Sequence, residues 1–397
     1  MSLRVERDGA YASVLLHSAR IADLDRRERG FVTELVLGSL RRRGELDHLI
    51  SARLRRPIPS LDPEVLTALR LGAYQLRYMT GVAPHAAVSQ SVELVRRARK
   101  RSAAPLVNAV LRNLPPAPAS SHGIRLSHPG WLVRRWEAAY SSNTVAALLR
   151  ANLRRPATYF RIPRPARQGD VLERLRRAGI GVESSDLPRA YRLVSGAART
   201  ATGAAGVRLR VQDLNSQRVA ALLGAGRGSL ALDVCSAPGG KARILAESAP
   251  VVACDRNLGR LRAMRRLGCR GIRLLALDGE RGLPFLRRFD RVLVDAPCSG
   301  TGTLARNPEI KWRLRLEDLA DLSRRQARIL DNAMDVLAPG GTLVYATCSL
   351  EPEENDHVVE DTLRNWPRCK AEKAIDTVPG RDRGDGFQAW RIRKPLA

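Results

Sequence analysis

The chain has 397 residues, 44% hydrophobic and 27% charged, a balance that excludes wholesale disorder and suggests two or three domains. Its net charge is +28, and no apolar run approaches the roughly 20 residues of a membrane span. Six cysteines (Cys235, Cys254, Cys269, Cys298, Cys348, Cys369) form no CxxC pair and no Cys/His spacing, which argues for a reducing cytoplasm and against a disulfide framework or a metal site.

No cleavable leader is expected at the N-terminus, where acids stand among the bases and a long apolar core is lacking. The first 115 residues read as a helical domain. Apolar residues recur at three and four spacing in Val65, Leu66, Leu69, Ala73, Leu76 and Met79, again through Val88, Val92 and Val95, and again from Leu106 to Leu114. Ser60 or Asp62 is placed to cap the first of these helices, with Pro63 in its first turn. The proline-rich stretch over 116–124 reads as a linker. Residues 125–210 read as a small α+β domain, with helix over 131–149, strand over 158–162 and helix over 171–178. Residues 115–215 carry a net charge of +11, the densest positive charge in the chain, and all their bases are arginines. Codon bias accounts for arginine over lysine but not for the sign. Such a surface concentrates a polyanion, so this segment is the candidate RNA-guiding surface. A membrane surface is a poor rival, because aromatics are only 4%.

From 211 to 397, strands and helices alternate. Apolar runs over 230–234, 251–254, 273–276, 291–294 and 342–345 read as buried strands, with helices over 257–267 and 316–337. This order predicts an open, doubly wound parallel sheet. The first strand runs into Cys235, Ser236, Ala237, Pro238, Gly239, Gly240 and Lys241, a Gly-rich turn that lets a ligand approach the backbone. It is not a Walker A loop, which needs Gly at Cys235 and Ser or Thr at Ala242. The second strand ends at Asp255, placed to accept from a ribose diol, and the third leads to Asp278, placed to take an adenine amino group. Each aspartate alone reads equally as a turn or capping residue. Together, and without a second phosphate-binding loop, they favour S-adenosylmethionine over NAD as cofactor.

The fourth strand gives Asp295, Ala296, Pro297 and Cys298. The fifth gives Thr347, Cys348 and Ser349. In a doubly wound sheet the first, fourth and fifth strands are neighbours, so two cysteines and one carboxylate face one cleft beside the cofactor turn. Carbon 5 of cytosine is too poor a nucleophile to attack a methyl sulfonium. A thiolate adding to carbon 6 converts the ring to an enamine, and an acid at ring N3, here Asp295, drives that addition. A second thiol then helps the first to leave. Lys241 or a helix N-terminus is placed to favour the thiolate.

These motifs carry a resemblance. DVCSAPGGK (233–241), DAPCSGTG (295–302), NPEIKW (307–312), TCSLEPEEN (347–355) and VQDLNSQ (211–217) resemble the Sun-type, RsmB-like RNA cytosine-5 methyltransferases. LRLGAYQL (69–76), PHAAVSQSVEL (84–94) and VNAVLR (107–112) resemble the NusB-like RNA-binding fold. The resemblance spans nearly the whole chain. It implies a NusB-like all-α domain, an α+β middle domain and a Rossmann-like class I methyltransferase domain. It implies S-adenosylmethionine as cofactor, bound by residues 235–241 with Asp255, Asp278 and Asp295. It also implies 16S rRNA as partner, with no DNA; oligomeric state has no sequence signal, and a monomer is assumed, in the cytoplasm that the cysteines suggest. It makes Cys348 the nucleophile and Cys298 the residue that assists release, whereas DNA cytosine-5 methyltransferases attack with the Pro-Cys cysteine, the counterpart of Cys298. A tRNA substrate and a non-catalytic antitermination factor are the alternatives. Ala242, Gln388 and Pro163-Arg164 depart from the usual threonine, second aromatic and Arg-Val-Asn stretch.

Overall fold

The computed structural model describes every residue except 19, 20, 22, 287 and 397. One compact unit comprises Met1–Arg155 and Thr303–Arg313; the other comprises Pro156–Gly302 and Leu314–Ala397. In the first, the expected apolar stripes become helices Pro63–Tyr78, Pro84–Arg97 and Ala104–Arg112, which enclose Leu69, Ala73, Val88, Val95, Val107 and Leu111. Asp62 stands at the N-cap of the first of these, but its side chain makes no capping hydrogen bond there; it pairs with Lys100 at 3.2 Å. Helix Arg26–Arg41 is capped by a reciprocal box, Asp25 accepting from the Glu28 amide and Glu28 from the Asp25 amide. The proline-rich break ends in a short helix, Ser120–Leu126. The expected helix over 131–149 is two helices, Gly130–Ala139 and Ser142–Leu153, in this same helical unit.

The second unit holds two sheets. The smaller is wholly antiparallel: β1 (Thr158–Arg161), β2 (Val182–Ser184), β3 (Ala190–Leu193) and β4 (Arg210–Val211), in the order β2-β3-β1-β4. Helices Gln168–Arg177 and Ala198–Ala204 bury Val171, Leu175 and Ala201 against Phe160 and Ile162. The order β-α-β-β-α-β is that of a ferredoxin-like unit.

The larger sheet has seven strands: β5 (Ala231–Asp233), β6 (Val251–Asp255), β7 (Ile272–Ala276), β8 (Phe289–Asp295), β9 (Leu337–Thr347), β10 (Lys370–Thr377) and β11 (Phe387–Arg393). Their order is β10-β11-β9-β8-β5-β6-β7, with β5 to β9 parallel and β10 and β11 antiparallel. Alternate strand residues face opposite layers. Ala231, Ala253, Leu293 and Val344 pack with helices Leu214–Leu222 and Gly240–Leu245. Leu232, Val292, Leu343 and Tyr345 pack with helices Leu316–Asp335 and Asp356–Asn365. As the strand order required, β5 lies beside β8 and β8 beside β9, so the loops after Asp233, Asp295 and Thr347 emerge side by side.

Candidate active site

The Gly-rich turn is built for close approach. Gly239 has φ +91°, and a Cβ there would meet the Met264 methyl at 2.6 Å, so glycine alone fits. Above the turn, Asp255 accepts from the Ala237 amide (3.2 Å) and the Asn257 amide (2.8 Å), and Arg260 lies 3.5 Å from its Oδ2. Asp278 accepts from the Glu280 amide at 3.1 Å. Both acids therefore perform the turn roles the sequence allowed, and each retains lone pairs. Asp278 lines a cavity of about 680 Å³ with Arg256, Asn257 and Arg281. Ser236, Gly240, Lys241 and Asp295 line another of about 1070 Å³ with Arg210 and Arg243.

Sequence reasoning missed Asp233. It is fully buried at the end of β5, and neither carboxylate oxygen has a hydrogen-bond partner. Burial, with the charge of Asp295, pushes its carboxyl up to about 7. Its place in the motif was visible, but nothing in the sequence separates an orphaned acid from a satisfied one. An unpartnered acid beside a turn without a Cβ fits a ligand that carries a cationic or hydrogen-bonding group. That suits the amino-acid end of S-adenosylmethionine. Cys235 is held well above the usual thiol range by burial and by Asp233, Asp295 and Asp255.

Cys298 and Cys348 come together: their sulfurs are 3.4 Å apart, both half-buried and both reduced. The hydrogen bond to Cys348, then burial, then the charges of Cys348 and Glu354 hold Cys298 well above the usual thiol range. Either thiol can donate in this contact. Lys241 donates to Asp295 Oδ2 at 2.6 Å and sits 5.3 Å from the Phe387 ring. Burial would lower the Lys241 ammonium, but Asp295 and Cys348 outweigh it and raise the pKa. The site therefore holds a fixed positive charge near Cys348.

Beneath the thiols lies a buried polar network that the sequence did not announce. Glu354, fully buried, accepts from the Ser299 amide (2.8 Å), from Gln326 Nε2 (2.9 Å) and from the Ser299 and Ser349 hydroxyls. Asn355 donates to the Ser349 and Glu351 carbonyls and accepts from Thr347 Oγ1. The VQDLNSQ stretch has a similar supporting role. Asp213 accepts from the Asp385 amide, and Asn215 donates to the Asp385 carbonyl at 2.7 Å, which steadies the strand that carries Phe387.

NPEIKW packs within the helical unit. Just past the Cys298 loop the chain passes at Thr303 into the helical unit. There Glu309 accepts from the Ala12 amide, Lys311 donates to the Arg41 carbonyl (2.8 Å), and Trp312 donates to that of Leu40 (2.8 Å). Lys311 is fully buried, and burial holds its amine well below the usual range.

A five-stranded parallel sheet with an antiparallel pair, a Gly-rich first turn and a helical domain at the N-terminus define a multidomain protein with a Rossmann-like domain of the class I methyltransferase type. The family model for 16S rRNA methyltransferase RsmB/F matches residues 220–389, the NusB family model 2–115, and the RsmF/B-like ferredoxin-like domain 128–198. Ribosomal RNA small subunit methyltransferase B of Salmonella arizonae is 36% identical over 392 residues, covering 93% of this chain and 90% of that one. Its counterpart in Salmonella enteritidis PT4 is 35% identical, covering 98% and 95%. The chain belongs to this RsmB/F family of 16S rRNA methyltransferases. Among solved structures, PH0851 has the same fold, with a TM-score of 0.83 at 22% identity over 99% of this chain and 97% of that one. NSun6 from Pyrococcus horikoshii with SFG gives 0.59 at 18% identity, over 68% and 99%.

Proposed function

We propose that the protein methylates carbon 5 of a cytosine in 16S rRNA, with S-adenosylmethionine as donor and a covalent adduct through Cys348. The observation that carries this reading is the pair of thiols 3.4 Å apart beside the Lys241–Asp295 ion pair. Cys348 faces positive charge from Lys241 and lies 3.4 Å from the Cys298 sulfur. Its sulfur forms a bond to carbon 6, and the electrons of the 5,6 double bond shift onto the ring. Ring N3 takes a proton through Asp295, whose carboxyl is held in place by the hydrogen bond from Lys241. A cofactor held by the 235–241 turn would supply an electrophilic methyl group to carbon 5. Solvent water then takes the carbon 5 proton, the electrons of that bond restore the 5,6 double bond as the sulfur–carbon 6 bond breaks, Cys298 hydrogen-bonds the departing thiolate, and ring N3 returns its proton to Asp295. Asp233, the 235–241 turn, Asp255 and Asp278 are the residues that would hold the cofactor.

The net charge of +28 and the NusB-like domain support an RNA substrate. Among the described residues, no helix is long and apolar enough to cross a membrane, and no side-chain cluster is suited to a metal ion. The test is tritium transfer from methyl-labelled cofactor to protein-free 16S rRNA and, separately, to tRNA, with bisulfite sequencing of the product. One protected cytosine in 16S rRNA is expected. Label in tRNA alone would move the substrate assignment. No label from a protein that binds the cofactor would favour a non-catalytic RNA-binding factor.

A further inference from the structure

We propose that Glu354 is a positioning residue for the two thiols: its buried carboxylate ties the Cys298 loop to the Cys348 loop through Ser299 and Ser349. The inference rests on the roles given to the cysteines above. Each of the two serines directly follows its cysteine, so the carboxylate holds both loops at the equivalent position. Oε1 accepts from the Ser299 amide and from Gln326, which also donates to the Pro297 carbonyl at 2.9 Å. Oε2 accepts from the hydroxyls of Ser299 and Ser349, themselves 3.1 Å apart. A second tie runs alongside. Thr301, in the Cys298 loop, accepts from the Leu350 amide at 2.9 Å, and the Gly302 amide donates to the Cys348 carbonyl at 2.9 Å.

Glu354 is fully buried and, among the described residues, forms no ion pair, so its charge is met by these donors alone. Hydrogen bonds to a charged acceptor are shorter and stronger than neutral ones and hold their geometry. The backbone of both cysteines is therefore pinned from below. A misplacement of 1 Å in a reacting group costs on the order of a hundredfold in rate. The carboxylate also faces Cys298, and its charge adds to what keeps that thiol protonated. Glu354 thus serves both thiols without touching the substrate.

The arms of the clamp are separable. The full-length protein is compared with Ser299→Ala, Ser349→Ala and Glu354→Gln on two 16S rRNA transcripts, one ordinary and one carrying 5-fluorocytidine. Once methylated, the fluorinated base cannot lose its substituent at carbon 5, so attack followed by methyl transfer from the cofactor leaves a covalent adduct on a denaturing gel. Ordinary RNA shows an adduct only when release fails. Ser299→Ala should accumulate adduct on ordinary RNA, whereas Ser349→Ala should slow adduct formation on fluorinated RNA by about tenfold or more. Glu354→Gln, similar in shape but uncharged, should do both, with cofactor affinity by calorimetry within about twofold of the parent. Serine variants that behave like the parent, or all three variants losing cofactor binding together, would make Glu354 a fold staple and overturn the proposal. Cys298→Ala and Cys348→Ala run alongside. If they fail to separate release from attack, the cysteine assignment falls first; if they separate and the serines do not, only the clamp falls.

Discussion

Asp233→Asn should remove a segment of the protein's pH dependence. The folded chain holds a proton on Asp233 up to about pH 7, because burial and Asp295 oppose ionisation there. The unfolded chain gives that proton up near 3.9. Between these values the native state binds more protons, so this group's contribution to stability is complete below about pH 4 and is lost as pH rises to about 7. The slope is about 1.4 kcal/mol per pH unit, or about 2.5 kcal/mol between pH 5 and pH 8. Asparagine does not titrate. Urea unfolding of both proteins at pH 5, 6, 7 and 8 gives the difference in stability at each pH. Shared titrations cancel in it, as does the constant cost of an orphaned amide. The difference should shift in the variant's favour by about 2.5 kcal/mol across the range. A difference that stays flat would mean that Asp233 is ionised in the folded protein, and would remove the argument for an unpartnered acid at the cofactor turn.

Asp255→Asn should weaken S-adenosylmethionine binding by roughly 10- to 150-fold, which corresponds to 1.5–3 kcal/mol for a hydrogen bond to a charged group; unchanged affinity in calorimetry would take Asp255 out of the site. RNA affinity should fall steeply with salt, and removing residues 1–120 should weaken it further while cofactor binding persists. That truncation also strips Lys311, Trp312 and Glu309 of their partners, so limited proteolysis should now cut within 303–313, and continued protection would contradict the anchoring. Gln388→Met should raise stability by about 1 kcal/mol, because the buried Gln388 Oε1 has no hydrogen-bond partner; a lower melting temperature would show that the amide is satisfied.

The five parallel strands and their neighbours were legible because each is a short apolar run that ends in a chemically distinctive loop. That also made the meeting of Cys298 and Cys348 legible, since strand order alone fixes it. The antiparallel pair β10 and β11 was not legible. Lys370–Thr377 is largely exposed and carries four charged residues, and Gln388, Arg391 and Arg393 break up the apolar pattern of its partner. Glu354 sits in a run of acids that reads as solvated surface; only the convergence of Ser299 and Ser349 makes it a buried acceptor. Lys311 is legible as part of a motif but not as an anchor, because its partner, the Arg41 carbonyl, lies 270 residues away in sequence. The helix over Arg26–Arg41 lacked a clean stripe, although its Asp25–Glu28 box was there to be read.

The central claim is that Cys348 attacks and Cys298 releases. It is tested most directly by incubating Cys298→Ala, Cys348→Ala and the double variant with 16S rRNA and S-adenosylmethionine and resolving the products on a denaturing gel. Cys298→Ala can still attack and transfer the methyl group but lacks the donor to the departing sulfur, so a protein–RNA band of reduced mobility should accumulate. Cys348→Ala should give none, and the double variant should match it, because release matters only after attack. An adduct that appears only when Cys348 is removed would make Cys298 the nucleophile and contradict the account.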